Sequence, residues 1–134
     1  MPFDRERFAG LAEFRSALRR FLAASEAISR EGGVTAQQYQ ALLALGCGDE
    51  PMGMKALAEQ LMFQPHAAVQ LVDRLQKAGL VNRTPSPVDG RSVILRLTDR
   101  GETLLQQLAN EHLAEMLEQE PALSAALRRI RQAR

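Results

Sequence analysis

Between Met54 and Leu97 the spacing of apolar residues changes character, and that change narrows the folds open to the chain. In MKALAEQLM (54–62), Leu57, Ala58 and Leu61 share one face at helical spacing. FQP turns the chain, and from Pro65 to Ala78 the apolar set is Ala68, Leu71, Val72 and Leu75, again at a helical period. Pro65 suits the first position of a helix, where its missing N–H would have no intrahelical acceptor. Gly79 stops this helix. The period then drops to two: LVNRT (80–84) and SVILRL (92–97) read as strands, joined by a loop with two prolines and then Asp89, Gly90 and Arg91.

The flanks are helical. Residues 4–31 form a helix with Asp4 as N-cap and an apolar stripe of Phe8, Leu11, Leu18, Leu22 and Ile28. EGGV ends it, and Thr35-Ala36-Gln37-Gln38 is a capping box for a second helix running through Leu45. GCGDEPMG breaks that helix. Beyond the hairpin, Thr98 caps a long helix with Leu104, Leu105, Leu108, His112, Leu113, Met116 and Leu117 along its stripe. Pro121 is expected to end it, leaving ALSAALRRIRQAR (122–134) as a separate basic helix. The middle of the chain, 35–97, is long enough for a small core. The stripes of the end helices can bury against each other or against a second copy; a two-fold dimer is the expectation.

With 134 residues, a single domain is expected. Aromatic residues make up only 4% and there is no Trp, so the core must be aliphatic and alanine-rich, which favours helices. The formal net charge is +1, but its distribution is uneven. From Met62 to Arg100 there are Arg74, Lys77, Arg83, Arg91, Arg96 and Arg100 against Asp73, Asp89 and Asp99, a mild pointer to a polyanion. Cys47 is the only cysteine, which excludes an intrachain disulfide and a metal cluster resting on it. No apolar run approaches the ~20 residues of a membrane span, and MPFDRERF is not a signal peptide, so no membrane contact and a cytoplasmic location are expected.

Helix, tight turn, helix and hairpin is the order of a winged helix-turn-helix, in which the second helix enters the major groove and the hairpin reaches the backbone or minor groove. The segments LAEQL (57–61), LVDRLQKAGLV (71–81), DGR (89–91) and LTDRG (97–101) stand in that order. Together they resemble the MarR family of bacterial transcription regulators. The resemblance implies a mainly α fold with a small β-hairpin wing: one domain over 1–134, with 1–33 and 99–134 as dimerisation helices and 34–98 as the DNA-binding lobe. It implies a homodimer that binds double-stranded DNA at a pseudo-palindromic operator, acts as a repressor, needs no cofactor, and is released by a small aromatic ligand. The chain departs from the family where Ser or Thr is common, carrying Gln64, His66 and Ala67; position 70, often basic or small, is Gln70.

The candidate DNA-contacting residues follow. His66, Ala67, Gln70 and Arg74 lie opposite the apolar face of the 65–78 helix. Glutamine can bond adenine bidentately, histidine can donate to guanine, and an alanine methyl can meet thymine. Gln64 is a candidate phosphate contact. The plain alternative is that all are solvated surface. The family's Asp-Arg pair implies that Asp73 bonds a wing arginine, Arg83 or Arg91, unless it makes an ordinary surface ion pair. Arg91 is the candidate minor-groove probe. Asp89 is expected to hold its guanidinium bidentately, with Gly90 permitting the turn. Phe14, Tyr39 and His112 are candidate ligand contacts by character alone. Cys47 has Asp49 and Glu50 nearby, which oppose a reactive thiolate, and His66 and His112 lack metal-ligand spacing.

Two other classes compete with this reading. A winged-helix module that binds protein instead of DNA would tolerate acids or large apolar residues on this helix and wing, whereas the chain keeps Arg74, Arg83, Arg91 and Arg96. An enzyme is excluded: no nucleophile–base set, paired catalytic carboxylates, phosphate loop or metal motif is recognisable.

Overall fold

The computed structural model describes residues 2–133. Its elements are α1 (Arg5–Glu31), α2 (Ala36–Gly46), β1 (Met52–Gly53), α3 (Met54–Leu61), α4 (Pro65–Lys77), β2 (Val81–Pro85), β3 (Val93–Leu97) and α5 (Asp99–Gln132). The fold is mainly helical with a small antiparallel sheet. It comprises two compact units: Ser29–Ala109, and Met1–Ile28 with Asn110–Arg134. Met1 and Arg134, the first and last positions of the expected domain, lie outside the described residues.

The first unit carries the wing. Thr35 Oγ1 accepts from Gln38 N at 3.0 Å and Gln38 Oε1 accepts from Thr35 N at 2.9 Å, so the expected capping box starts α2. Such a cap contributes about 1 kcal/mol. Leu42, Leu57, Val72, Leu75, Val81 and Leu95 are fully buried and form the core, each stabilising by roughly 1.5–3 kcal/mol. Between α3 and α4 the chain reverses through Met62, which adopts the left-handed conformation (φ 59°, ψ 40°) while Phe63 N bonds Ala58 O at 2.9 Å. Gly79 (φ +77°) closes α4, and Leu80 N bonds back to Leu75 O.

The hairpin pairs Val81 with Leu97, Arg83 with Leu95 and Pro85 with Val93. A third strand joins it: β1 pairs Met52 with Leu95 and Gly53 with Ile94, giving the order β1-β3-β2. Thr98 fastens the ends of three elements. Its N donates to Leu80 O at 3.0 Å and its Oγ1 donates to Gly79 O at 2.6 Å, while Gly101 N donates to Oγ1 at 3.0 Å as an N-cap bond of α5. Gly101 lies so close that a Cβ there would overlap the Leu80 carbonyl.

In the second unit, the first part of α1 meets the last part of α5. Asp4 Oδ1 accepts from Arg7 N at 3.0 Å, the N-cap expected. The residues of α1 buried here are small: Gly10, Ala17 and Ser25. A Cβ on Gly10 would come within 2.6 Å of Ile130 Cγ1, so the helices approach closely there. Arg129 Nε donates to Glu6 Oε2 at 2.8 Å and Arg129 also bonds Glu13, while Arg7 donates to Ala133 O at 2.9 Å.

One expectation is corrected. Pro121 does not end the helix; α5 runs through it without a break. The proline forfeits one bond, to the Leu117 carbonyl, but Leu117 is itself 72% exposed, and Ala126 and Ile130 beyond it stay packed against Gly10. The apolar stripe of α1 stays open, with Phe8, Leu11, Leu18 and Leu22 38–52% exposed, because the inward face is the small-residue face; of the two ways to bury it, this leaves the second copy available.

Candidate nucleic-acid interface

α4 buries Ala68, Leu71, Val72 and Leu75, which turns His66, Gln70, Asp73 and Arg74 to the exposed side. Gln64 occupies the N-cap without a side-chain cap bond. An open cavity of about 320 Å³ runs along this side, lined by Gln37, Met62, Phe63, Gln64, Ala67, Gln70, Leu71 and Arg74. It gathers Gln64, Ala67, Gln70 and Arg74 on one surface; His66 is exposed but outside the lining. No lining residue is acidic. Arg74 makes no ion pair among the described residues.

Arg83 is engaged differently. It forms an ion pair with Asp73, and its Nη2 also lies 3.5 Å from Val69 O. The Arg83 Nε is buried with no partner. Of the two wing arginines open to Asp73, it is Arg83 on β2 that α4 holds.

The tip of the wing corrects the expected Asp89–Arg91 side-chain pair. Asp89 Oδ1 accepts from the backbone N of Arg91 at 3.0 Å and Oδ2 accepts from Ser92 Oγ at 3.2 Å. The carboxylate therefore folds the loop and does not clamp the guanidinium, because a backbone N–H two residues on lies within reach at little entropic cost. Ser86 Oγ supplies the opposite side, accepting from Val88 N and Asp89 N at 3.2 and 3.4 Å. Gly90 has no left-handed φ, and a Cβ there would meet nothing within 4 Å, so the turn does not require glycine. Arg91 is exposed.

Tyr39, in the winged unit, is only 7% exposed, and burial pushes its hydroxyl pKa upward. Phe14 and His112 belong to the other unit. His112 is buried, with Nε2 2.7 Å from Ser25 Oγ and its ring 6.5 Å from that of Phe21. A larger cavity of about 590 Å³ in the winged unit, walled in part by Leu95, Leu97 and Leu105, includes none of these three. Exposed Cys47 lies on it beside Asp49 and Glu50. Among the described residues no group of His, Cys, Asp and Glu could hold a metal ion, and no helix is long and apolar enough to cross a membrane.

Gln37 and Met62 escaped the sequence reasoning. Gln37 sits beside a capping glutamine and looks like its spare, and Met62 looks like a helix residue until its left-handed backbone turns it outward.

A three-helix core, an exposed fourth-helix face and an arginine-tipped hairpin define a winged helix-turn-helix protein. Residues 32–92 match the family model described as MarR family, and the chain belongs to the MarR family of winged-helix transcriptional regulators. The HTH-type transcriptional regulator MgrA of Staphylococcus aureus is 28% identical over 86 residues, or 64% of this chain and 58% of MgrA. The chain thus matches less than two thirds of that relative's length. RV1404 from Mycobacterium tuberculosis is 30% identical at a TM-score of 0.69, covering 77% of this chain and 71% of that one. CouR from Rhodococcus jostii RHA1 is 26% identical; its complex with p-coumaroyl-CoA superposes at 0.67, covering 72% and 68% of the two chains. The transcriptional repressor CouR bound to a 23-mer DNA duplex superposes at 0.70, covering 88% and 89%.

Proposed function

We propose that the chain is a sequence-specific DNA-binding transcription regulator acting as a homodimer on a pseudo-palindromic operator. The observation that carries this reading is the outer side of α4, where Gln64, Ala67, Gln70 and Arg74 line one open surface without an acid among them. With α4 in the major groove, Gln70 reads adenine, His66 a guanine edge and Ala67 a thymine methyl. Gln64 and Arg74 meet phosphate, and Arg91 meets the negative potential of the minor groove. Asp89 acts by ordering the wing loop, and Arg83 by tying the wing to α4 through Asp73.

The homodimer is supported by the large apolar residues left exposed on the terminal helices: Leu11, Leu18 and Leu22 on α1, and Leu113, Met116 and Leu117 on α5. A second copy covers them in this reading. Two-fold symmetry then sets two α4 helices about 34 Å apart, one turn of DNA. Repression and release by a small aromatic effector are supported by CouR, a repressor whose structures include complexes with DNA and with p-coumaroyl-CoA. An effector that favours one spacing of the two α4 helices shifts the population away from the DNA-competent state.

The test is selection of duplexes from a random pool, followed by the salt dependence of the winner. The expected result is an inverted repeat with half-sites about 10 bp apart and an affinity that falls steeply with salt. Failure to enrich any repeat would remove the support for sequence-specific binding.

A further inference from the structure

The cavity along α4 has one polar group that α4 and its turn do not supply. Gln37, the second residue of α2, lines it together with Gln64, Gln70 and Arg74. The neighbouring glutamine is already committed: Gln38 uses its side chain and its backbone N–H in the capping box with Thr35. Gln37 is exposed, and its carboxamide has no protein partner among the described residues.

We propose that Gln37 is a positioning residue for DNA, gripping one backbone phosphate together with Arg74 and so fixing how deeply α4 sits in the groove. This rests on the DNA-binding reading above. The donors suit an oxyanion. Each carboxamide offers two N–H groups, the guanidinium offers five, and no carboxylate competes with them. Met62, Phe63 and Leu71 make the rest of the wall apolar, so an anion held there directs its bonds to the polar rim. The first turn of α2 holds no acidic residue, and its early backbone N–H groups have no intrahelical acceptor. Phosphate, not base, is the partner because Gln37 stands on α2, not on the helix that enters the groove. Elements flanking an inserted helix meet the backbone.

The experiment measures binding of a selected duplex by fluorescence anisotropy for wild type, Gln37→Ala, Gln37→Glu and Gln37→Lys, with circular dichroism to check folding. Gln37→Ala should weaken binding several-fold. Gln37→Glu should weaken it by about tenfold or more, and Gln37→Lys should steepen the slope of log K against log salt by about 0.9, the contribution of one more phosphate contact. A duplex series with single neutral methylphosphonates should contain one position whose neutralisation costs Gln37→Ala less affinity than it costs wild type, the remaining loss being that of Arg74. Equal affinity of folded Gln37→Glu and wild type overturns the proposal. So does the absence of a coupled phosphate, or a Gln37→Ala variant that changes base preference instead. A wild-type protein that binds no duplex at all overturns the underlying DNA-binding reading, a result distinct from wild-type binding that Gln37 does not affect.

Discussion

Asp73 on α4 and Arg83 on β2 form an ion pair that bridges the helix proposed to read DNA and the first strand of the wing. The two side chains are 50% and 25% exposed, so solvent screens the pair and its worth is at most about 1 kcal/mol. Asp73→Ala and Arg83→Ala should each lower stability to urea by about 0.5–1 kcal/mol, with the double variant losing less than the sum. DNA affinity should fall equally in the two single variants if Arg83 acts through Asp73. A larger loss with a shallower salt slope for Arg83→Ala alone would mean that it touches phosphate directly.

The wing loop separates affinity from shape. Arg91→Ala should weaken operator binding by roughly 1–3 kcal/mol and reduce the salt slope by about one. Gly90→Ala should leave both affinity and melting temperature unchanged, since its Cβ enters open space at an ordinary φ. Asp89→Ala removes the acceptor of Arg91 N and Ser92 Oγ. It should weaken binding less than Arg91→Ala and raise amide exchange at Arg91. A Gly90→Ala variant that unfolds the wing would refute this account of the turn.

The exposed apolar residues of the terminal helices give a direct test of assembly. Leu22 and Leu117 are 52% and 72% exposed. Wild type should sediment as a dimer with a melting temperature that rises with concentration. Leu22→Glu and Leu117→Glu should sediment as monomers and bind the full operator far more weakly. A monomeric wild type would leave these residues without a partner copy.

Pro121 lies inside α5 and leaves the Leu117 carbonyl without its helical donor. Pro121→Ala restores that bond and should raise stability by about 1–3 kcal/mol, read from chemical denaturation followed at 222 nm. A destabilised Pro121→Ala would show that the proline shapes a bend on which packing depends.

Glu6 bonds Arg129, and that hydrogen bond, followed by the charge of the same guanidinium, holds its carboxyl below the ordinary value of 4.5. A depressed carboxylate pKa favours the folded state above the unfolded value, and the advantage is lost as pH falls through the folded value. Wild type should therefore melt higher than Glu6→Gln near neutral pH. The difference should shrink below about pH 4.5. A difference independent of pH from 7 to 3 would show that the contact does not titrate.

Much of the winged core is legible in the sequence because local chemistry and tertiary packing agree there. Thr35 and Gln38 announce the start of α2, Pro65 and Gly79 bracket α4, and the period-two runs mark β2 and β3. β1 is illegible: two residues carry no period, and Met52 becomes strand only because Leu95, far along the chain, accepts it. Pro121 misleads because local propensity forbids what the contacts of Ala126 and Ile130 maintain. The α1 stripe is legible as an apolar face, but periodicity alone does not say what covers it. At the wing tip, charge pattern suggests Asp89 with the Arg91 guanidinium, but the nearer backbone N–H takes the carboxylate. By charge, Arg83 and Arg91 suit Asp73 equally, and only the folded structure brings Arg83 to α4.

The meeting of Thr98, Gly79, Leu80 and Gly101 has a mechanical consequence. Here the end of α4, the start of β2 and the first turn of α5 meet through backbone groups and one short side chain, the Thr98 hydroxyl. So short a linkage leaves little slack between the start of α5 and the end of α4. The joint behaves as a gear with its teeth already engaged, and adding even one methyl group at Gly101 would strip it.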